Sequence, residues 1–147
     1  MVTRFDAVFE KELLQFEKEL IKGGQEIVRT VATETFMKLT EDPPEGTPID
    51  TRWAVSNWMI TADEPTGSPV GQRDEAGVSA AKTVQYAHLS AILSVDISTV
   101  DIIHVYNNVP YLIFLNDYGT STQTDKFFIE RAVQHANQVA TKEVSKL

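Results

Sequence analysis

The sequence predicts an α+β fold, in which a long N-terminal helix and a C-terminal helix pack on a small, mostly antiparallel β-sheet. Apolar residues recur at helical spacing near both ends of the chain. The middle of the chain carries short apolar runs between turns rich in Pro, Gly and Asn. The length of 147 residues fits one domain, 1–147. Helices grouped around a few strands are typical of the α+β class.

The first helix is predicted over residues 4–39, because its apolar residues recur at steps of three, four or seven and share one face. These residues are Phe5, Phe9, Leu13, Phe16, Leu20, Ile27 and Val31. The pair Gly23-Gly24 interrupts the pattern, and a glycine inside a helix costs about 1 kcal/mol relative to Ala. The apolar spacing continues across the pair, so we expect one bent helix rather than two.

Pro43-Pro44 ends this helix, because proline disfavours the helical conformation of the residue before it. Residues 53–61 predict a strand that is covered on both faces, since large apolar side chains fall on both sides of it. Residues 62–77 predict an irregular loop rich in Pro, Gly and charge. A loop of this length in a compact domain is either mobile or used for contact.

A helix is predicted over residues 79–93, with Ser79 as its N-cap. Its expected inner face is formed by Ala81, Val84, Ala87 or His88, and Ala91. Residues 100–106 predict a strand from their β-branched residues, and Asn107-Asn108 predicts the turn that follows. One more strand is expected within 62–72 or 94–99.

Residues 109–118 fit two structures. The alternation of Val109, Tyr111, Ile113 and Leu115 favours a strand, whereas the spacing of Tyr111, Leu115 and Tyr118 favours a helix. Pro110 suits the first position of a helix and Gly119 suits its C-terminal end, so a short helix over 110–118 is the favoured prediction. The last helix is predicted over 125–142. Its apolar face comprises Phe128, Ile129, Ala132, Val133, Ala136, and Val139 or Ala140.

Composition narrows the classes of function. The chain has 13 basic and 21 acidic residues, a net charge of −8 and no Cys. This charge repels nucleic acid over most of the surface, and the lack of Cys excludes disulfides and thiolate metal sites. The N-terminus lacks the apolar run of a signal peptide. The longest apolar run, Val109–Leu115, is too short to cross a bilayer, so we expect no membrane partner and no export.

Catalytic patterns are not evident, so the sequence predicts a protein that is not an enzyme and has no catalytic, cofactor-binding or metal-binding residues. Its three histidines are isolated in sequence, and His104 and Asp101 would point to opposite faces of the predicted strand. No phosphate-binding loop, EF-hand loop or nucleophile elbow occurs.

Two alternatives stay open. One is a soluble protein- or ligand-binding module that uses a cluster of Tyr106, Tyr111 and Tyr118, and the other is an enzyme whose hidden site includes His104.

Two short blocks combine several turn signals. The first, Thr47-Pro48-Ile49-Asp50-Thr51, runs on to Asn57-Trp58. The second, Asn107-Asn108-Val109-Pro110-Tyr111, ends at Asp117-Tyr118-Gly119-Thr120-Ser121. We expect Asp50 to accept backbone N–H bonds with help from Thr51, and the second block to reverse the chain and start the short helix.

The two blocks resemble segments of the tail completion and neck proteins of long-tailed bacteriophages, the lambda-like minor tail protein type. The first is similar to T-P-[VI]-D-T-G…[NS]-W, and the second to a strand followed by N-N-x-P-Y. The matching positions are Pro48, Asp50, Thr51, Asn57, Trp58, Asn107, Asn108, Pro110, Tyr111, Tyr118 and Gly119. The order of elements also matches, over about residues 5–140. Arg52 stands where the family has Gly, and if that Gly needs a positive φ, Arg52 must adopt another conformation.

The resemblance implies a virion structural protein of the head–tail junction, which completes the tail end and joins it to the head connector. It implies a hexameric ring, with further copies, a tail terminator or tail tube, and a head connector or adaptor as partners. Assembly would take place in the host cytoplasm. An acidic lumen would let genomic DNA pass without specific binding, because phosphate contacts require Lys or Arg. The 62–77 loop and a face of the first helix would contact neighbours or partners.

Overall fold

The α+β prediction is confirmed by a computed structural model, which describes the backbone of residues 4–146 and the side chains of residues 10–146. In chain order the elements are helix α1 (Arg4–Thr40), helix α2 (Trp53–Ser56), strand β1 (Met59–Thr61), helix α3 (Glu75–Ser94), a 3-10 helix (Ile97–Thr99), strand β2 (His104–Tyr106), helix α4 (Leu112–Asp117) and helix α5 (Phe128–Ser145). The two strands are antiparallel, with Met59 opposite Tyr106 and Thr61 opposite His104.

The predicted strand 53–61 is wrong over its first part, because Trp53–Ser56 forms the short helix α2. The backbone N–H of Ser56 donates to the Arg52 carbonyl (3.0 Å), and the Ser56 hydroxyl donates to the same oxygen (2.6 Å). Such local bonds compete with a sheet ladder. Where the strand does form, Met59 and Ile60 are both buried, as expected for a strand covered on both faces.

The second half of the sheet is also shorter than predicted. The strand predicted at 100–106 is present only at His104–Tyr106, and neither 62–72 nor 94–99 adds a strand to the described part of the chain. The segment 97–99 is a 3-10 helix instead, because the Asp96 carboxylate accepts the Ser98 N–H (3.1 Å) and fixes a local turn.

Helix α3 begins at Glu75 rather than at residue 79. Its N-cap is Asp74, not Ser79, because the Asp74 carboxylate accepts the N–H of Gly77 at 2.6 Å. The expected inner face is confirmed at Ala81, and Val84 and His88 are half-buried, whereas Ala87 and Ala91 are exposed. The irregular loop predicted over 62–77 therefore ends at Asp74.

The structure confirms the continuity of the first helix and shifts the starts of the last two. Helix α1 runs through Gly23-Gly24 as a single helix, as expected, although the side chains of Phe5 and Phe9 lie outside the described residues. Helix α4 starts at Leu112 after the cap residue Tyr111, so Pro110 precedes the helix, and Gly119 ends it with a φ of +62°. Helix α5 starts at Phe128 instead of 125, because Phe127 takes a left-handed conformation (φ 65°).

The core lies between α1, α5, α3 and the two strands. Its buried apolar residues are Ala32, Phe36, Leu39, Ala54, Trp58, Ile60, Ile92, Val109, Leu112, Phe128 and Ala132. Helix α5 presents small buried residues to this core at Ala132, Ala136 and Ala140, which permits close packing on α1. His135 Nε2 lies 3.5 Å from Glu34 Oε2 along the same pair of helices. Only the C-terminal half of α1 takes part in this core.

Arg29 of α1 holds the C-terminal end of α3. Its Nη1 donates to the carbonyl oxygens of Val95 (2.9 Å) and Ile92 (3.3 Å), and its Nη2 donates to Glu26 Oε1 (2.6 Å). A cation at the carboxyl end of a helix bonds carbonyls that have no partner within the helix. Helices α1 and α3 are therefore joined by polar bonds as well as by the core.

Asp96 makes the stability dependent on pH. Hydrogen bonds from the Ser98 hydroxyl (2.7 Å) and the Ser98 N–H (3.1 Å) lower the pKa of Asp96 below its ordinary value of 3.8. The ionised carboxylate thus stabilises the folded state above the unfolded pKa, and this contribution is lost as the pH falls through the folded pKa. We expect Asp96→Asn to lower the melting temperature at pH 7, with a difference from wild type that shrinks on acidification below 3.8. Thermal unfolding by circular dichroism checks this, with Asp101→Asn as the control. A difference independent of pH would contradict it.

Candidate functional site

The structure brings one part of each motif block to a common cleft of about 340 Å³. Pro48, Asp50, Thr51 and Arg52 line one side, and the segment from Tyr111 to Gln123 lines the other through Tyr111, Leu115 and Thr120–Gln123. Seven of the eleven motif positions do not line this cleft: Asn57, Trp58, Asn107, Asn108, Pro110, Tyr118 and Gly119. Two segments far apart in sequence thus form a single site.

Thr47 connects the end of α1 to the start of β1. Its side chain is fully buried, donates to the Leu39 carbonyl at 2.8 Å and accepts from Trp58 Nε1 at 2.7 Å. The same block is bonded to the segment before α5, because Thr124 donates to the Gly46 carbonyl (2.8 Å). The first block therefore joins three parts of the fold.

Asn57 attaches the 62–77 loop to α2. This buried side chain accepts the N–H of Val70 (2.6 Å) and donates to the carbonyl oxygens of Val70 (3.2 Å) and Trp53 (3.0 Å). The indole N–H of Trp53 donates to the same Val70 carbonyl at 3.1 Å. The backbone N–H and the carbonyl of Val70 are thus both hydrogen-bonded, and the loop is attached to α2 at this residue.

The two asparagines of the second block hold different segments. Asn107 Nδ2 donates to the Ala54 carbonyl (2.7 Å), while Asn107 Oδ1 accepts the N–H of Val109 (3.0 Å) in a turn that leads towards α4. Asn108 Nδ2 donates to the carbonyl of Thr66 in the 62–77 loop. The side-chain bonds of Asn107 and Asn108 therefore link the second block to α2 and the loop.

The expected role of Asp50 is wrong. Its carboxylate pairs with Arg73 (2.9 Å), which also donates to Thr51 Oγ1 (3.3 Å) and lies 5.0 Å from the ring centroid of Tyr111. Among the described residues, no backbone N–H bonds to Asp50. The Asp50 side chain is 83% exposed, so the pair contributes at most about 1 kcal/mol. Sequence reasoning missed Arg73, although it is the only basic residue between 62 and 77.

Arg52 keeps the conformation that suits a glycine. Its φ is 64°, in the left-handed region, at the N-cap of α2. The expectation that Arg52 would adopt a different conformation is therefore wrong. A non-glycine residue in this region costs about 1–2 kcal/mol, so the packing of Ala54, Val55 and Ser56 behind it must hold the strained turn in place.

This strain predicts an order of stability at position 52. We expect Arg52→Gly to raise the free energy of unfolding by up to about 1 kcal/mol, because relief of the strain exceeds the extra entropy of glycine in the unfolded chain. Arg52→Val should lower it by about 1 kcal/mol or more, since β-branched residues resist a positive φ. Urea unfolding measures both, with Arg52→Asn as an intermediate control. Equal midpoints for Arg52→Gly and Arg52→Val would contradict the strain.

The three tyrosines do not form the expected cluster. Tyr111 packs against Trp53, with ring centroids 6.2 Å apart. Tyr106 lines a small cavity beside His88, and Tyr118 is 70% exposed and stacks on Phe114. The binding module that was to use a tyrosine cluster therefore loses the feature that suggested it.

His104 lies in a shallow depression with Asp63, Glu64 and Asp101. Asp101 precedes β2 rather than belonging to it, so the argument that placed it on the opposite face from His104 does not apply. No hydrogen bond joins His104 to these carboxylates, and within residues 10–146 no three His, Asp or Glu side chains are arranged to hold a metal ion. The assignment as a protein without catalysis stays a prediction.

The N-terminal half of α1 extends beyond the packed body. Every residue from 10 to 22 is exposed; we call this segment the projecting half. Its large apolar side chains are between 55% and 59% exposed: Leu13, Leu14, Phe16, Leu20 and Ile21. A contiguous apolar surface of this kind marks an interaction site.

An open apolar groove of about 400 Å³ lies beside the packed half of α1. We call it the α1–α5 groove; its lining comprises Ile27, Val28, Val31, Ala32, Thr35, Leu39, Trp58, Ile103, Val105, Ile129 and Val133. None of these residues is charged, and Thr35 and Trp58 alone carry side-chain polar atoms. The projecting half and this groove are two uncovered apolar surfaces of the described chain, and Ile113, Phe114 and Tyr118 at α4 form another.

Comparison of the chain with protein-family models, with curated proteins and with solved structures finds no match. The resemblance to phage neck proteins therefore depends on the two motif blocks and on the order of the elements. Across residues 4–146, the helices do not combine the length and the apolar character that are needed to cross a bilayer.

Proposed function

We propose that this protein is a structural subunit of the head–tail junction of a long-tailed bacteriophage. It would complete the tail end and join it to the head connector as one member of a ring. The observation that supports this proposal is that Pro48, Asp50 and Thr51 of the first motif block and Tyr111 of the second line one cleft. Their common location favours one architectural unit over two unrelated turn signals.

The chemistry of the blocks suits such a unit. Thr47, Asn57 and Asn107 all direct their polar side-chain atoms to backbone groups of neighbouring segments. Side chain-to-backbone bonds of this kind fix the relative positions of α1, α2 and the loop. A ring subunit needs this rigidity, because closed symmetry repeats one contact and any error in its angle accumulates around the ring.

The proposed partners follow from the same assignment. They are further copies of the chain in a hexameric ring, a tail terminator or tail tube, and a head connector or adaptor. The protein would assemble in the host cytoplasm and be located in the neck of the virion. The net charge of −8 would let genomic DNA pass through the ring without specific binding.

Deletion of the gene tests this proposal. We expect lysates without the protein to contain filled heads and separate tails, because the joint between them is missing. Expression of the wild-type protein in trans should restore complete particles, and electron microscopy counts the two classes. Complete, infectious particles formed without the protein would overturn the proposal.

A further inference from the structure

We propose that the projecting half of α1 binds in the α1–α5 groove of a second copy of this chain. The inference deepens the proposed ring by naming the contact between its subunits. It is argued from the surfaces of the chain alone, so a virion role is not needed for it. The contact is head-to-tail: each copy gives its helix to one neighbour and receives a helix from another.

The projecting half has the pattern of a helix that binds in an apolar groove. Leu13, Phe16 and Leu20 recur at steps of three and four, and Leu14 and Ile21 are seven residues apart beside them. Leu13, Phe16 and Leu20 form one apolar stripe along the helix, and Glu10 and Glu17 separate it from Leu14 and Ile21. Recognition of an amphipathic helix by an apolar groove uses anchors at this spacing.

The two surfaces match in length. The groove follows α1 from Ile27 to Leu39, which is about 18 Å at a rise of 1.5 Å per residue. Leu13 to Ile21 spans about 12 Å by the same measure, so all the anchors of the projecting half fit within the groove. Both surfaces are apolar, and each is uncovered in the single chain.

A chain cannot fill its own groove. The groove wall includes Ile27, Val28 and Val31 of α1, and α1 is one uninterrupted helix from Arg4 to Thr40. The projecting half therefore extends along the axis of the helix that forms the wall and cannot fold back beside it. The occupant must come from another molecule.

Charge favours the groove over the pairing of two projecting halves. Residues 10–22 contain four Glu and three Lys, a net charge of −1 (3 − 4), so two projecting halves do not attract one another by net charge. Glu10 and Glu17 border the stripe of Leu13, Phe16 and Leu20 on one side, and Glu12 borders it on the other. Two projecting halves packed face to face would place these carboxylates near one another, whereas the groove lining carries no charge.

Docking also provides the packing that the projecting half lacks. A helix of this length without tertiary contacts is marginally stable in water, and the projecting half is supported only by its continuity with the packed half. Burial of Leu13, Phe16 and Leu20 in a neighbour would stabilise it. Assembly and ordering of the segment are therefore coupled.

Site-directed crosslinking tests the contact, because the full-length chain has no Cys of its own. Leu20→Cys and Val133→Cys place one thiol on the projecting half and one on the groove wall, both at exposed positions outside the core. With a short bismaleimide, over concentrations up to the solubility limit, we expect the double variant to give a ladder beyond the dimer. A head-to-tail contact produces such a ladder because every copy carries both halves.

Two controls separate the alternatives. Lys18→Cys with Val133→Cys moves the first thiol to the charged face of the helix and should stay monomeric. Leu20→Cys alone should also stay monomeric, and dimers from it would show that two projecting halves pair, which overturns the proposal. A double variant that gives no more ladder than the Lys18 control overturns it as well.

Sedimentation gives a second measurement that needs no crosslink. Leu20→Glu should weaken self-association by about tenfold or more, since it removes a buried apolar side chain and places a charge against an uncharged groove. Gln15→Glu introduces the same charge on the opposite face and should leave the association unchanged. Equal effects of the two variants would contradict the contact. The two proposals can fail independently. The protein can be located in the virion without this contact, and it can form this contact without being located in the virion.

Discussion

Thr47→Val is expected to lower the free energy of unfolding by about 2 kcal/mol. Valine keeps the shape but removes the hydroxyl that accepts from Trp58 Nε1 (2.7 Å) and donates to the Leu39 carbonyl (2.8 Å). Thr47 is 0% exposed and Trp58 is 4% exposed, so water cannot replace the lost acceptor. A buried donor without a partner costs about 1–3 kcal/mol. Urea unfolding followed by Trp fluorescence measures the loss.

A double-mutant cycle assigns this loss to the Thr47–Trp58 bond. Trp58→Phe removes the N–H that needs the acceptor, so Thr47→Val should cost less in the Trp58→Phe background than in wild type. Unfolding of Trp58→Phe and of the double variant Thr47→Val/Trp58→Phe is followed by circular dichroism. Thr47→Ser, which keeps the hydroxyl, is the matched control. Additive losses would show that the bond does not hold the first motif block to β1.

Gly77→Ala is expected to cost about 3 kcal/mol and to release the 62–77 loop. A Cβ at position 77 would lie 1.8 Å from the Gln72 carbonyl oxygen and 2.3 Å from the Gln72 nitrogen. These are backbone atoms, so the loop must move, and overpacking of this kind costs about 1–3 kcal/mol or more. The Val70 amide, which donates to Asn57, should then exchange faster with solvent.

Gly67→Ala is the matched control, since Gly67 lies in the loop that Gly77 of α3 contacts. A Cβ at Gly67 meets no atom within 4 Å, so the variant should stay within about 0.5 kcal/mol of wild type. Hydrogen exchange at Val70 should also be unchanged in this variant. If Gly77→Ala were as stable as Gly67→Ala, the close contact between the start of α3 and the loop would be wrong.

The helices could be predicted from the sequence because their signals are periodic and local. The stripe through Leu13, Phe16 and Leu20 identified α1, and Gly119 identified the end of α4. The apolar run 53–61 led to the wrong prediction of a strand over its first part, because burial on both sides does not distinguish a strand from a buried helical turn. The bonds from Ser56 to the Arg52 carbonyl decided the outcome, and these depend on a strained φ that no residue pattern revealed.

The candidate site was predicted only in part, because its partners are distant in sequence. The motif residues were correctly identified as turn-forming at Asn107 and Gly119, but nothing in the sequence paired Asp50 with Arg73 or Asn57 with Val70. Likewise, nothing in the sequence divided the apolar face of α1 into a covered part and an uncovered part. The structure buries only its second half, since α5 packs along that part of α1 alone.

The location of the protein in the virion tests the central claim most directly. Gly67 lies in open space on the 62–77 loop, so Gly67→Cys gives a single thiol for a gold label in a chain that otherwise has none. Particles from cells that carry this variant would be labelled and viewed by electron microscopy, with wild-type particles as the unlabelled control. The account predicts gold only at the neck or the adjoining end of the tail. Gold on the capsid shell or tail fibres, or no gold on complete particles, would contradict it.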